Sequence, residues 1–136
     1  KTEAEQLFKK NQIRSLAKIV RSGQVLEIDG DLLLIGDINP GGAVISTGSI
    51  YVLGAIRGMA HAGSRGNRHA VICASLMAPS QLRIADLLRE EPNRNEQEER
   101  EMECAFVNEE LEEIQFHKIQ EVKNIRPDLA VLTQER

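Results

Sequence analysis

A chain of 136 residues with 41% apolar side chains suffices for one domain with a small core, and with no Trp, one Tyr and three Phe that core must be aliphatic. A net charge of −4 gives no support for a nucleic-acid surface, and no apolar run reaches the ~18 to 20 residues of a membrane-spanning helix. The two cysteines, Cys73 and Cys104, show neither CxxC spacing nor a disulfide framework, so the expected setting is reducing and cytoplasmic, and no signal peptide opens the chain.

The chain begins at Lys1 rather than Met, which points to further residues upstream. Residues 1–20 are basic, with Leu7, Phe8, Ile13, Leu16 and Ala17 spaced for either a loose amphipathic helix or a linker.

All ten glycines lie between Gly23 and Gly66. Within this segment "GDLLLIGDI" from Gly30 returns as "GSIYVLGAI" from Gly48, an offset of eighteen, and Leu26, Leu32, Ile38, Val44, Ile50 and Ile56 recur every six residues. Three hexads per repeat predict one coil of a three-sided β-helix, with a short strand on each side and a turn at each corner, over residues 21–89. Strand side chains alternate in direction, so the hexad series, together with Ile28, Leu34 and Val52, should fill the prism. The opposite parity is apolar at Leu33, Ile35, Tyr51 and Leu53 and, allowing a two-residue insertion near "RGNRH", at Val71 and Cys73. Elsewhere that parity carries Glu27, Asp29, Asp31, Asp37 and Arg57. An apolar stripe on one outer side marks a partner surface, most simply that of a twofold homodimer. The alternative is that the C-terminal part of the same chain covers it.

Residues 90–103 read as an acidic loop without apolar anchors. Over residues 104–136 an extension should follow: "ECAFV" and "LEEIQF" as a hairpin, then "HKIQEVKNI" as a helix ended before Pro127. The fold class is therefore mainly β: a short three-sided β-helix with a helical or linker segment before it and a hairpin and helix after it.

Chemistry is scarce. His61, His69 and His117 have no ligand spacing with each other or with the cysteines, so no metal and no cofactor are expected. "NPGG" at Asn39–Gly42 lacks the Lys-Ser/Thr of a phosphate loop. An enzymatic alternative remains, because an exact six-residue beat is also the pattern of left-handed β-helix acyltransferases, with His61 or His69 as the base.

The segment from Lys18 to Leu88 resembles the C-terminal domain of MinC, the septum site-determining family. Arg21-Ser22-Gly23-Gln24, Gly30-Asp31, Gly36-Asp37-Ile38-Asn39-Pro40-Gly41, Gly54 and Arg57-Gly58 follow in the family's order and spacing, and "MECAF" and "IRPDL" look like the Gram-positive form. The resemblance implies a right-handed β-helix that is not an enzyme, that dimerises through one sheet face, and that is recruited from the cytoplasm by ATP-bound, membrane-associated MinD. It implies a MinD surface at Arg21, Ser22, Gly23 and Gln24, extended by Asp37 and Gly41. It further implies a role in blocking assembly of the FtsZ ring, directly or through a separate N-terminal domain. Met59 stands where some relatives carry a basic residue linked to FtsZ-tail contact.

Overall fold

The computed structural model describes residues 13–90 and 100–130. The expectations for residues 1–12 and 91–99, and for the last six residues, lie outside the described residues.

Four coils of parallel strands stack on one another. Odd-numbered strands β1 (Ile13–Ala17), β3 (Asp31–Ile35), β5 (Ile50–Ile56) and β7 (Ile72–Met77) form one side. The even-numbered β2 (Val25–Ile28), β4 (Ala43–Ser46), β6 (Met59–Ala62) and β8 (Gln81–Ile84) form the second. The third side is reduced to single parallel bridges, Val20 to Ile38 and Ile38 to Ile56. Pairing at an offset of eighteen joins the first three coils on the first side, as in Leu32 opposite Ile50, and the first two on the second, as in Leu26 opposite Val44, while β4 meets β6 at an offset of sixteen, as in Val44 opposite Ala60.

The six-residue beat is the reason for this shape. Leu32, Ile38, Val44, Ile50 and Ile56 are all 0% exposed, and Leu34, Val52 and Ile28 lie inside with them. Each such aliphatic side chain contributes roughly 1.5–3 kcal/mol by leaving water. Small corners let these sides meet. A Cβ on Gly36 would collide with the Lys18 carbonyl and one on Gly54 with the Gly36 carbonyl, and both glycines have positive φ, so this column of corners admits only glycine. Carboxylates tie the coils along the same direction: Ser49 N donates to Asp31 Oδ1 at 2.7 Å, and Ala55 N to Asp37 Oδ1 at 2.8 Å.

Four sequence expectations need correction. First, Ile13–Ala17 is neither helix nor linker but the first strand, paired from Ile13 opposite Asp31 to Ala17 opposite Ile35. Arg14 interrupts the six-residue beat there and hides a coil that Val20, fully buried, still announces. Second, the insertion at the glycine-rich loop is longer than two residues, because Tyr51 lies opposite Cys73 rather than Val71. An even shift preserves parity, so Cys73 keeps its outward direction but moves one rung along. Third, Arg100–Glu103 belongs to strand β10 (Arg100–Asn108), not to a loop. Glu103 is buried there because Arg100 Nε at 3.6 Å and Lys118 Nζ at 3.5 Å neutralise it. Fourth, Cys73 and Cys104 are joined by a disulfide. No spacing rule could show this, since β10 runs antiparallel to β7 and places the two cysteines opposite each other.

The end of the solenoid is capped. Strand β9 (Leu87–Glu90) folds back antiparallel on β8, and β10 pairs with β11 (Glu113–Lys118) as the expected hairpin. Ala105, Val107 and Ile114 from that hairpin join the main core. Helix α1 (Ile119–Ile125) follows and stops before Pro127, again as expected. Arg68 clasps the inserted loop to both turns, donating to Asp86 at 2.8 and 2.6 Å and to Glu112 at 3.1 Å. Its guanidinium holds the Asp86 carboxyl down to about 2.

Candidate functional site: a corner turn and an apolar face

The corner that leads into the second side is a column of stacked turns. In the first of them Gln24 N donates to the Arg21 carbonyl at 3.0 Å and Arg21 N donates to Gln24 Oε1 at 2.9 Å, so the glutamine closes its own turn. Gly23 N donates to the Gly41 carbonyl of the next coil at 3.0 Å. Gly41 has positive φ, and a Cβ on it would collide with Ser22 Oγ, so the two turns nest only because that position is glycine. All of Arg21, Ser22, Gly23, Gln24 and Gly41 are exposed. The geometry leaves the Gln24 amide nitrogen and the five donors of Arg21 facing outward from a rigid base. Exposed Val25 adjoins the turn, in register with Ala43 and then Met59.

Asp37 stands apart from this group. Its carboxylate accepts the Ala55 N–H, which makes it a strut between coils, and it lies across the narrow third side from Gly41. The structure thus gathers Gly41 with Arg21–Gln24 and places Asp37 at the neighbouring corner.

The apolar stripe is real but unequal along its length. Leu33, Tyr51 and Cys73 form one outward ladder of half-buried rungs, while Ile35 and Leu53 form a second whose members are 49% and 57% exposed. At the far end the chain covers itself. Val71, expected on the open stripe, is fully buried with Cys104 and Phe106, and Ile119 and Val122 of α1 pack over them. Burial pushes the Tyr51 phenol up, with a hydrogen bond to Ser49 acting the other way. Between α1 and the open rungs lies an apolar groove of about 400 Å³ lined by Tyr51, Leu53, Cys73, Met102, Ile119 and Val122. The C-terminal part of the chain therefore covers the far end of the face and leaves Ile35 and Leu53 open. Met102, Ile119 and Val122 escape a reading of the repeat because they lie outside it.

Two of the histidine rings have local partners, and the third histidine contributes its backbone. His61 Nε2 donates to the Ala85 carbonyl at 3.0 Å, the His69 carbonyl accepts from Arg126 at 3.0 Å, and His117 stacks on Phe106 at 4.7 Å. No group of three or more metal-ligating side chains occurs among the described residues, and no described helix is long and apolar enough to cross a membrane.

Residues 14–119 match the family described as septum formation inhibitor MinC, C-terminal domain. The chain belongs to the MinC family. Over 132 residues it is 49% identical to the probable septum site-determining protein MinC of Geobacillus thermodenitrificans, covering 97% of this chain and 58% of that protein. Identity with the septum site-determining protein MinC of Bacillus subtilis is also 49%, with the same shares covered. The chain thus spans less than two thirds of the length of these MinC relatives. Among solved structures it is similar to the MinC:MinD cell division protein complex of Aquifex aeolicus, with a TM-score of 0.72 and 30% identity over 92% of this chain and 98% of that one. These MinC relatives are named for septum placement, not for an enzymatic reaction.

Proposed function

We propose that this chain is the dimerisation and MinD-binding part of a division inhibitor, and that it helps prevent FtsZ ring assembly at wrong sites. The observation that carries the reading is the nested turn of Arg21–Gln24 and Gly41, exposed on a rigid corner, in a chain whose structural neighbour is a MinC:MinD complex. The turn offers a planar guanidinium and an amide at a spot where Gly23, with open space around it, lets a partner backbone come close. Asp37 supports this surface from the adjacent corner. Leu33, Ile35, Tyr51, Leu53 and Cys73 form the homodimer face, with Ile35 and Leu53 its most exposed members. In this reading the chain is cytoplasmic, reaches the membrane only through ATP-bound MinD, and is not an enzyme. Contact with FtsZ falls to this domain or to the part of the protein beyond this chain.

Co-sedimentation with MinD and ATP on lipid vesicles tests the surface. Arg21→Ala should reduce binding at least about tenfold, in line with losing a charged anchor at an interface, while circular dichroism and light scattering stay as in the parent. Full binding by this variant rules out the corner as the docking site.

A further inference from the structure

We propose that Cys73 is a site of thiol–disulfide exchange with low-molecular-weight thiols, and that its modification and self-association of the chain exclude one another.

The two sulfurs of the disulfide differ in surroundings. Cys104 is 3% exposed and lies in the cluster beneath α1 with Val71 and Phe106, whereas Cys73 is partly open. Both line the groove that opens beside Leu53 and Met102, so a small thiolate entering the groove meets Cys73 first. Its attack breaks the Cys73–Cys104 bond, forms a mixed disulfide on Cys73 and expels the Cys104 thiolate, which takes a proton from water. A second thiolate then releases the Cys73 thiolate and leaves as the low-molecular-weight disulfide. The same disulfide is the oxidant for the reverse direction. Backbone pairing on both sides of the sulfurs, from Ala105 opposite Ile72 to Arg100 opposite Met77, holds β10 in place when the bond opens.

The consequence follows from register. Cys73 is the rung next to Tyr51 on the ladder that begins at Leu33. A tripeptide thiol attached there sets polar, charged bulk into an apolar groove, and a partner copy seated on that face shuts the thiol in. This second half rests on the dimer reading; the exchange site does not.

The test uses oxidised glutathione as the probe and peptide mapping by mass spectrometry. The Cys104→Ser variant should acquire one glutathione, on Cys73, whereas Cys104 in Cys73→Ser should stay unmodified until the protein is denatured. Equal labelling of the two overturns the site. Wild-type protein equilibrated with mixed reduced and oxidised glutathione gives the same map without any substitution. At protein concentrations about 100 times the dimer dissociation constant the modification should be about tenfold slower, because only the monomer fraction reacts. A rate independent of concentration in a chain that light scattering shows to dimerise overturns the mutual exclusion. A chain that is monomeric throughout overturns the dimer reading, and the exclusion with it, while the map alone decides the site.

Discussion

The two broad sides of the solenoid are the same inside and different outside. Leu32, Leu34, Ile50 and Val52 on the first are buried like Val44, Ala60, Ala62 and Leu82 on the second. Outward, the first side stacks Leu33 on Tyr51 and Ile35 on Leu53, while the second stacks Glu27, Ile45, His61 and Arg83 beside a ladder of Val25, Ala43, Met59 and Gln81. Strand alternation makes the two sets independent, since a residue's parity decides which of them it joins. The inner set therefore specifies a β-helix, and the outer set is open to specify partners. Glu27, His61 and Arg83 keep part of the second side in water; the aliphatic ladders of the first side are the area that the proposed dimer would bury.

This contrast can be broken from the inside or from the outside. The largest effect belongs to the shared interior. Leu34→Ala and Leu82→Ala, one on each side, should both cost about 2–5 kcal/mol in chemical denaturation. A large loss on one side only contradicts a single continuous core. Next comes the outer face. Leu53→Asp, and more weakly Tyr51→Asp, should yield monomers by light scattering with the melting temperature of the monomer little changed, whereas Ile45→Asp on the other side should leave the oligomeric state alone. Dimers in all three place the contact elsewhere.

The smallest effect concerns the clasp at the capped end. The Asp86 carboxyl titrates in the unfolded chain near 3.8 and is held to about 2 in the folded one by Arg68. Its folded value is the depressed one, so the contribution of this pair is present above pH ~4 and fades as the pH falls from there through about 2. Asp86→Asn should flatten the dependence of the urea midpoint on pH in that window and change little at neutral pH, as befits an exposed pair. An unchanged acid profile would show that the clasp contributes nothing to folding.

Much of this was legible in the linear chain because a coil repeats its own chemistry. The six-residue beat and the alternation of faces are local, so the interior, the outward parity of Leu33, Ile35, Tyr51 and Leu53, and the hairpin and helix at the end could be read without a structure. Where local chemistry is interrupted the reading stops early. Arg14 concealed the strand Ile13–Ala17, and the inserted loop misplaced Val71 by one rung, since nothing in a loop's composition states its length in coils. The corner turn was visible as Arg21-Ser22-Gly23-Gln24, yet its nesting with Gly41 depends on a hydrogen bond between coils.

The chain order alone settles which side chains face inward, because successive residues of a strand must point to opposite sides. It does not settle what lies beside the last coil. That β10 docks antiparallel on β7, that Cys104 thereby meets Cys73, and that α1 covers one end of the apolar face while leaving Ile35 and Leu53 open, are outcomes of packing. They bring together residues some thirty positions apart, and only the closure of the core, which gains more from burying the hairpin than from leaving the prism end wet, selects that arrangement over others with the same alternation.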